Sequence, residues 1–170
     1  MLSMLTTDQK GVIAETKIAA AALVAGVGVA KPLGDERYDL IFDTGDRLMR
    51  IQCKWAVRLG EVVIIRTRRV RRGPEGLIRR TYLPGEIDAV AGYCADLDAC
   101  YLLPTELSVG RAAVQLRLAP TRNNQAAGIK WARDFDLGAT LSRLPGPIAQ
   151  LGERVAGSDE AVGSSPTGST

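Results

Sequence analysis

The sequence predicts an α+β (mixed α/β) domain, in which one helix packs on a central, mostly antiparallel β-sheet. Three observations support this class. An alanine-rich helical segment comes first, short apolar runs separated by Gly, Pro and Asp turns follow it, and a second helical segment comes last. This element order is typical of an α+β domain. The 170 residues suffice for one domain with its own core.

The N-terminal helix is predicted over residues 6–26. Thr6 and Gln9 have the spacing of a capping box, the alanine run favours helix, and Gly26 is a typical helix stop. Glu15 has apolar neighbours three and four positions away, which places it on the apolar side of the helix. Such a glutamate is either a boundary residue whose carboxylate reaches water or a functional residue.

The strands follow the helix and are separated by turn residues. A tight turn at 44–46 joins the second and third strands as a hairpin, and a turn at 73–76 joins two arginine-rich strands. A helix is predicted over residues 123–135, and the folded domain is predicted to end near Leu144. The predicted strands are 27–32, 37–43, 47–55, 61–72, 77–83, two strands within 87–104, and 112–120.

The composition excludes several classes of enzyme. The chain has no histidine, which removes Ser-His-Asp and Cys-His catalysis, histidine-bound zinc and histidine-dependent nucleases. The three cysteines form no CxxC pair, which favours a cytoplasmic location over disulfides or a thiolate metal site. No apolar run reaches the ~18 residues of a membrane span, and the N-terminus lacks the pattern of a signal peptide.

Polar residues interrupt the segments that otherwise look buried. The hairpin brings Asp39 beside Gln52 and Lys54 on one face of the sheet, and we expect the helix to pack on that face with Glu15 at the same point. Carboxylate and amide oxygens suit Mg²⁺, and a metal ion makes a bound water a nucleophile near neutral pH. Because a nearby lysine stabilises charge on phosphate, this set predicts metal-dependent hydrolysis of phosphate esters.

With its surroundings, this set resembles the PD-(D/E)XK nuclease core. The resemblance extends to the PD-(D/E)XK endonucleases associated with group I introns, a homing endonuclease group. Blocks such as TTDQKGVIAETKIAAAAL, GDERYDLIFD, RLMRIQCKWA and IDAVAGYC stand in that family's order, and the resemblance covers residues 5–137. It implies a PD-(D/E)XK fold and a DNA endonuclease that uses Mg²⁺, for which Mn²⁺ can substitute.

Matched position by position, the resemblance implies catalytic roles for Glu15, Asp39, Gln52 and Lys54. Asp39 is the implied main metal ligand, with Gln52 as its neutral companion and the backbone carbonyl of Cys53 as a third ligand. Glutamine in place of the second carboxylate is expected within this subgroup. Lys54 is the implied charge-stabilising lysine, and Glu15 is the helix carboxylate. The bare spacing of these residues is weak evidence, so the identification depends on the blocks in register.

A basic segment predicts contact with a polyanion. Positions 50–80 hold ten Lys or Arg and only two acidic residues. The arginine hairpin fits a DNA groove or phosphate rail, or is merely solvated. Residues 122–125 could read base edges, or an asparagine there caps a helix. The predicted DNA-binding residues are Arg66, Arg68, Arg69, Arg71, Arg72, Arg79, Arg80, Arg122, Asn123, Asn124 and Gln125.

The leading interpretation is a Mg²⁺-dependent homing endonuclease that cuts double-stranded DNA. Since cutting both strands needs two active sites, a homo-oligomer, dimer or tetramer, is expected. Two alternatives stay open: a structure-specific nuclease such as a Holliday junction resolvase, and a DNA-binding module that no longer cuts because Gln52 lowers the charge that holds the metal.

The end of the chain differs in composition from the rest. We predict an endonuclease domain over residues 1–144 and a flexible tail over 145–170, which is rich in Gly, Ser and Pro. The tail resembles the conceptual translation of a tRNA gene, which suggests that an adjacent tRNA gene encodes it.

Overall fold

The computed structural model describes residues 4–73, 76–120 and 128–144, of which residues 69–73 and 77–80 are described by their backbone alone. The predicted tail and the predicted base-reading segment 122–125 lie outside these ranges. The helices are α1 (Thr7–Val24), α2 (Thr105–Ser108), a 3-10 turn (Ala132–Phe135) and α3 (Leu137–Leu141). The strands are β1 (Gly28–Ala30), β2 (Leu40–Asp43), β3 (Leu48–Leu59), β4 (Val62–Arg66), β5 (Arg69–Gly73), β6 (Gly76–Arg80), β7 (Ala89–Cys94), β8 (Ala99–Pro104) and β9 (Ala113–Arg117).

Both ends of α1 are fixed by the residues that the sequence singled out. Thr6 caps the first turn and exchanges hydrogen bonds with Gln9, so the predicted capping box is confirmed. At the other end Gly26 has a positive φ of 79°, and its N–H donates to the carbonyl of Leu23. The N–H of Val27 reaches back to Ala22, which completes a Schellman stop.

Seven strands form the main sheet, with the long strand β3 at its centre. The strand order is β1-β2-β3-β4-β9, and β7 lies along β3 with β8 beside it. The β3–β7 pair is parallel and the other pairs are antiparallel. Strands β5 and β6 form a separate two-stranded sheet. The predicted mixed sheet with an arginine-rich hairpin is therefore confirmed.

The two faces of β3 are covered by different parts of the chain. Met49, Ile51 and Cys53 pack in one cluster with α1 and α3. The alternate face belongs to a second cluster, to which β4, β7 and β9 contribute. In it β4 and β7 approach so closely that a side chain on Gly92 of β7 would meet Ile65 of β4 at 2.7 Å. Since Gln52 and Lys54 alternate with Ile51 and Cys53, the prediction that α1 packs on their face was wrong.

Two predicted elements differ from the structure. The single strand predicted over 61–72 is divided into β4 and β5, because Thr67 is fully buried and donates its hydroxyl to the carbonyl of Arg111. The helix predicted over 123–135 was wrong for residues 128–131, which are not helical, and its end is a 3-10 turn followed by the short α3. Within the described residues, no helix is long and apolar enough to cross a membrane.

Candidate active site

The candidate site lies where the β2–β3 ladder ends. Leu40, the first residue of β2, pairs with Ile51 at the end of this ladder. The N–H of the preceding residue, Asp39, still donates to the carbonyl of Ile51 at 2.9 Å. The next register position therefore sets Asp39 opposite Gln52. The β2–β3 ladder does not continue before Asp39. At this position of β3 the Asp39 carboxylate accepts a hydrogen bond from the N–H of Cys53 at 2.7 Å.

Gln52 is buried and turned toward the same carboxylate. Its side chain is only 8% exposed, and its Nε2 donates to Oδ2 of Asp39. A carboxylate at position 52 would repel Asp39, whereas the uncharged amide of Gln52 donates a hydrogen bond to one of its oxygens. This geometry gives a physical reason for glutamine at this position: the amide holds Asp39 in place and keeps its own oxygen for another ligand.

Lys54 lies two residues further along β3, on the face of Gln52. Its charge lowers the pKa of Asp39, so the two groups interact. Its Nζ stands over the ring of Tyr82 at 5.6 Å from the centroid, within the range of a cation–π contact. Tyr82 is 2% exposed and follows the arginine hairpin by two residues. Tyr82 is not among the predicted site residues, because nothing in its local sequence pattern marks it as a neighbour of Lys54.

Glu15 reaches the same edge from the opposite face of β3. Its carboxylate is 23% exposed and pairs with the ammonium of Lys31 at 2.6 Å, Nζ to Oε2. The charge on Glu15 raises the pKa of both Asp39 and Cys53, which places it near these two residues. Glu15 is therefore paired with a cation, and its part in cleavage stays a prediction. Lys31 is not among the predicted site residues, because no local sequence pattern relates it to Glu15.

Burial dominates the electrostatics of Asp39. Its pKa is raised above the usual range, first by burial and then by the charge on Glu15. The N–H of Cys53 and the charges of Lys54 and Lys31 act in the opposite direction without cancelling burial. Burial also raises the pKa of the Cys53 thiol, so that residue contributes through its backbone and not as a thiolate.

The donor set fits a hard divalent cation with oxygen ligands. Among the described residues, both hydrogen bonds to the Asp39 carboxylate use Oδ2, which leaves Oδ1 to a cation. Gln52 engages Asp39 through its nitrogen, so its Oε1 is available as well. The carbonyl of Cys53 points to the edge that its N–H faces. Within the described ranges, no group of three or more His, Cys, Asp or Glu side chains is placed to hold a metal ion.

Only some of the predicted DNA-binding residues lie in the part of the chain that the structure describes. Arg66 and Arg68 are exposed on either side of the buried Thr67. The ribbon β5–β6 pairs Arg69 with Arg80 and closes with Gly73 opposite Gly76. Along it the remaining hairpin arginines, Arg71, Arg72 and Arg79, occur at both sets of alternate positions. Arg122, Asn123, Asn124 and Gln125 lie outside the described residues.

Comparison with protein-family models identifies the class that this fold and site define. Residues 5–138 match the PD-(D/E)XK endonuclease model. Because the match covers most of the chain, the protein belongs to the PD-(D/E)XK endonuclease family and is a DNA endonuclease. Nucleases of this family use divalent metal ions. The predicted family and fold are confirmed.

A solved structure resembles the chain over nearly its whole length. It is that of a bacterial homing endonuclease, I-Ssp6803I, with a TM-score of 0.64 and 24% sequence identity. The similarity covers 92% of this chain and 100% of the other, and it shows that the two proteins share a fold. A search of curated proteins gave no match.

Proposed function

We propose that the protein is a Mg²⁺-dependent homing endonuclease of the group I intron-associated type, whose active site consists of Asp39, Gln52, Lys54 and Glu15. The observation that carries this proposal is the Asp39 carboxylate, held by Gln52 and by the N–H of Cys53 at 2.7 Å at the open end of the β2–β3 ladder. The fold shared with a bacterial homing endonuclease supports the homing part.

Each residue of the site has a distinct part in the proposed hydrolysis of a DNA phosphodiester. Asp39, the Gln52 amide oxygen and the Cys53 carbonyl would hold the metal ion, which supplies an activated water and neutralises charge on the phosphate. Lys54 donates to the phosphate oxygens, whose negative charge increases in the transition state. Glu15 accepts a hydrogen bond from the attacking water and orients it. The new bond joins the water oxygen to phosphorus, and the bond from phosphorus to the leaving sugar oxygen breaks. The attacking water loses a proton to solvent, and the leaving oxygen takes up a proton from solvent to become the hydroxyl of the released end.

Double-strand cleavage further requires a second copy of this site. Within the described residues, each chain has one such site. We therefore infer a homo-oligomer that presents two sites to one duplex. We infer a cytoplasmic location from the three cysteines, which are all free. Mass measurement by light scattering, with and without a duplex, tests the oligomer.

The decisive experiment separates homing from structure-specific cleavage. Purified protein is incubated with genomic duplex DNA and, in parallel, with a four-way junction, with Mg²⁺ or with EDTA. We expect sequencing of the ends to show double-strand cuts at one preferred duplex site, only with the metal. Cleavage confined to the junction, without sequence preference, would instead support the resolvase alternative.

A further inference from the structure

Within the described residues, the cation that contacts Glu15 is the ammonium of Lys31. It follows β1 by one residue and begins the loop 31–38 that leads into Asp39. Its Nζ lies 2.6 Å from Oε2 of Glu15, while its own side chain is 65% exposed. One end of this pair is thus anchored on α1, and the other begins the loop that delivers the predicted metal ligand.

The pair solves an electrostatic problem at the site. Glu15 and Asp39 are like charges close enough that Glu15 raises the pKa of Asp39, whereas Lys31 lowers it. A half-buried carboxylate that faces another carboxylate turns toward water unless a cation holds it. The direct contact raises the pKa of Lys31, so its ammonium stays charged. Lys31 is therefore placed to keep Glu15 in the site.

We propose that Lys31 is a positioning residue of the active site, which acts by holding the Glu15 carboxylate beside Asp39. This role depends on the proposed function, because it requires that Glu15 takes part in cleavage. Lys31 is not one of the predicted site residues and lies outside β2 and β3. Its proposed role can therefore fail while the proposed roles of Asp39 and Lys54 stand. The competing interpretation of the exposed ammonium is a direct contact to a DNA phosphate, which the same experiment distinguishes.

The test compares Lys31→Met with the conservative Lys31→Arg. Single-turnover cleavage by Lys31→Met should be about tenfold slower, as for other residues that orient active-site groups, and Lys31→Arg should recover most of the rate. Lys17→Met is the matched control, since Lys17 makes a similar 2.7 Å ion pair from α1 to Asp98, away from the site. We expect it to cut at the wild-type rate. Equal losses in Lys17→Met and Lys31→Met would indicate a merely structural effect and overturn the proposal.

A double-mutant cycle shows whether Lys31 acts through Glu15. Glu15→Gln and Glu15→Gln with Lys31→Met should cut at the same rate, because the second change has nothing left to position. A further tenfold loss in the double variant would show that Lys31 acts on its own, and would overturn the proposal. If Asp39→Ala cuts normally, the proposed site itself fails; if Asp39→Ala is inactive and Lys31→Met is not impaired, only the role of Lys31 fails.

Two readouts other than cleavage complete the test. DNA affinity in EDTA should keep its salt dependence in Lys31→Met, whereas a lost phosphate contact would reduce the slope of log affinity against log salt by about 0.9 and overturn the proposal. Binding of Mn²⁺ to the free protein, followed by electron paramagnetic resonance, should be at least as tight as in wild type, because a positive charge near Asp39 has been removed. Weaker Mn²⁺ binding would show damage to the whole site and contradict a role through Glu15.

Discussion

The proposed active-site edge of β3, called the catalytic edge below, and the arginine hairpin β5–β6 are built on opposite principles. The edge consists of a few buried or half-buried groups that bond to one another, as Asp39 does with Gln52 and Cys53. The hairpin forms a separate small sheet, and its entrance carries the exposed Arg66 and Arg68. The first region depends on the exact placement of each group, and the second on the number of its positive charges.

The difference predicts how each region responds to substitution. Removing one member of the edge leaves its partners without their bonds, so losses should be large and not additive. Removing one arginine takes away one screened charge, so losses should be small, additive and dependent on salt. Tyr82 connects the two regions, because it follows β6 and supports the ammonium of Lys54.

The largest effect is expected from Asp39→Ala and Lys54→Ala. Each should slow single-turnover cleavage by about a thousandfold or more, the magnitude for loss of a transition-state charge partner, while affinity for the same duplex changes little. Gel-shift titration in EDTA and cleavage in Mg²⁺ on one labelled duplex measure both quantities. Retained cutting by Asp39→Ala would remove this residue from the metal site.

A smaller loss is expected from Glu15→Gln, which preserves shape but removes the charge. Cleavage should fall at least about tenfold, within the range for a positioned acid or base, and the thermal midpoint should stay within a few degrees of wild type. Normal cleavage by this variant would show that the pair with Lys31 only stabilises the fold.

The placement of Asp39, Gln52 and Lys54 on one face of the sheet could be predicted from the sequence, and the packing around them could not. This placement follows from a tight turn and from strand alternation, which are local, whereas their proposed roles depend on the family resemblance. Lys31 and Tyr82 reach the site through loops whose direction depends on tertiary packing, so no periodicity reveals them. The face on which α1 packs is set by Met49, Ile51 and Cys53 together with the helix, and no spacing within either segment determines that choice.

Burial of Asp39 also predicts a trade of stability against activity. Its pKa is raised mainly by burial, so the folded state holds this proton at a pH where the unfolded chain has lost it. The free energy of unfolding of the metal-free protein therefore falls as pH rises from about 3.9, the unfolded value, through the raised folded value. Asp39→Asn removes this loss and keeps an acceptor for Cys53. It should be about 1 kcal/mol more stable than wild type at neutral pH.

Urea unfolding in EDTA at acidic and neutral pH measures that prediction. The two proteins should be about equally stable in acid, where the wild-type carboxyl is protonated, and should differ at neutral pH. Lower stability of Asp39→Asn at neutral pH would mean that the ionised carboxylate is already well compensated by Lys54 and the Cys53 N–H.

The connection between the two regions is tested at Tyr82. Tyr82→Phe keeps the ring under Lys54 and should cut within about twofold of wild type, whereas Tyr82→Leu should be about threefold to tenfold slower, which corresponds to a cation–π contact of roughly 1 kcal/mol. Because Tyr82 is buried, both rates are measured well below the thermal midpoint of each variant. Equal rates for the two variants would mean that the ring does not hold Lys54.

The smallest effect on the rate is expected from the two arginines that precede the hairpin. Arg66→Ala and Arg68→Ala remove exposed charges that no described acidic side chain neutralises. If each contacts one phosphate, each change should reduce the slope of log affinity against log salt by about 0.9, and the double change by about twice that amount. The cleavage rate at saturating protein should not change, because neither side chain touches the catalytic edge. Arg143→Ala is the control, since this exposed arginine lies beyond α3 and donates to the carbonyl of Asp134. An unaltered slope in the double variant would place both arginines off the DNA.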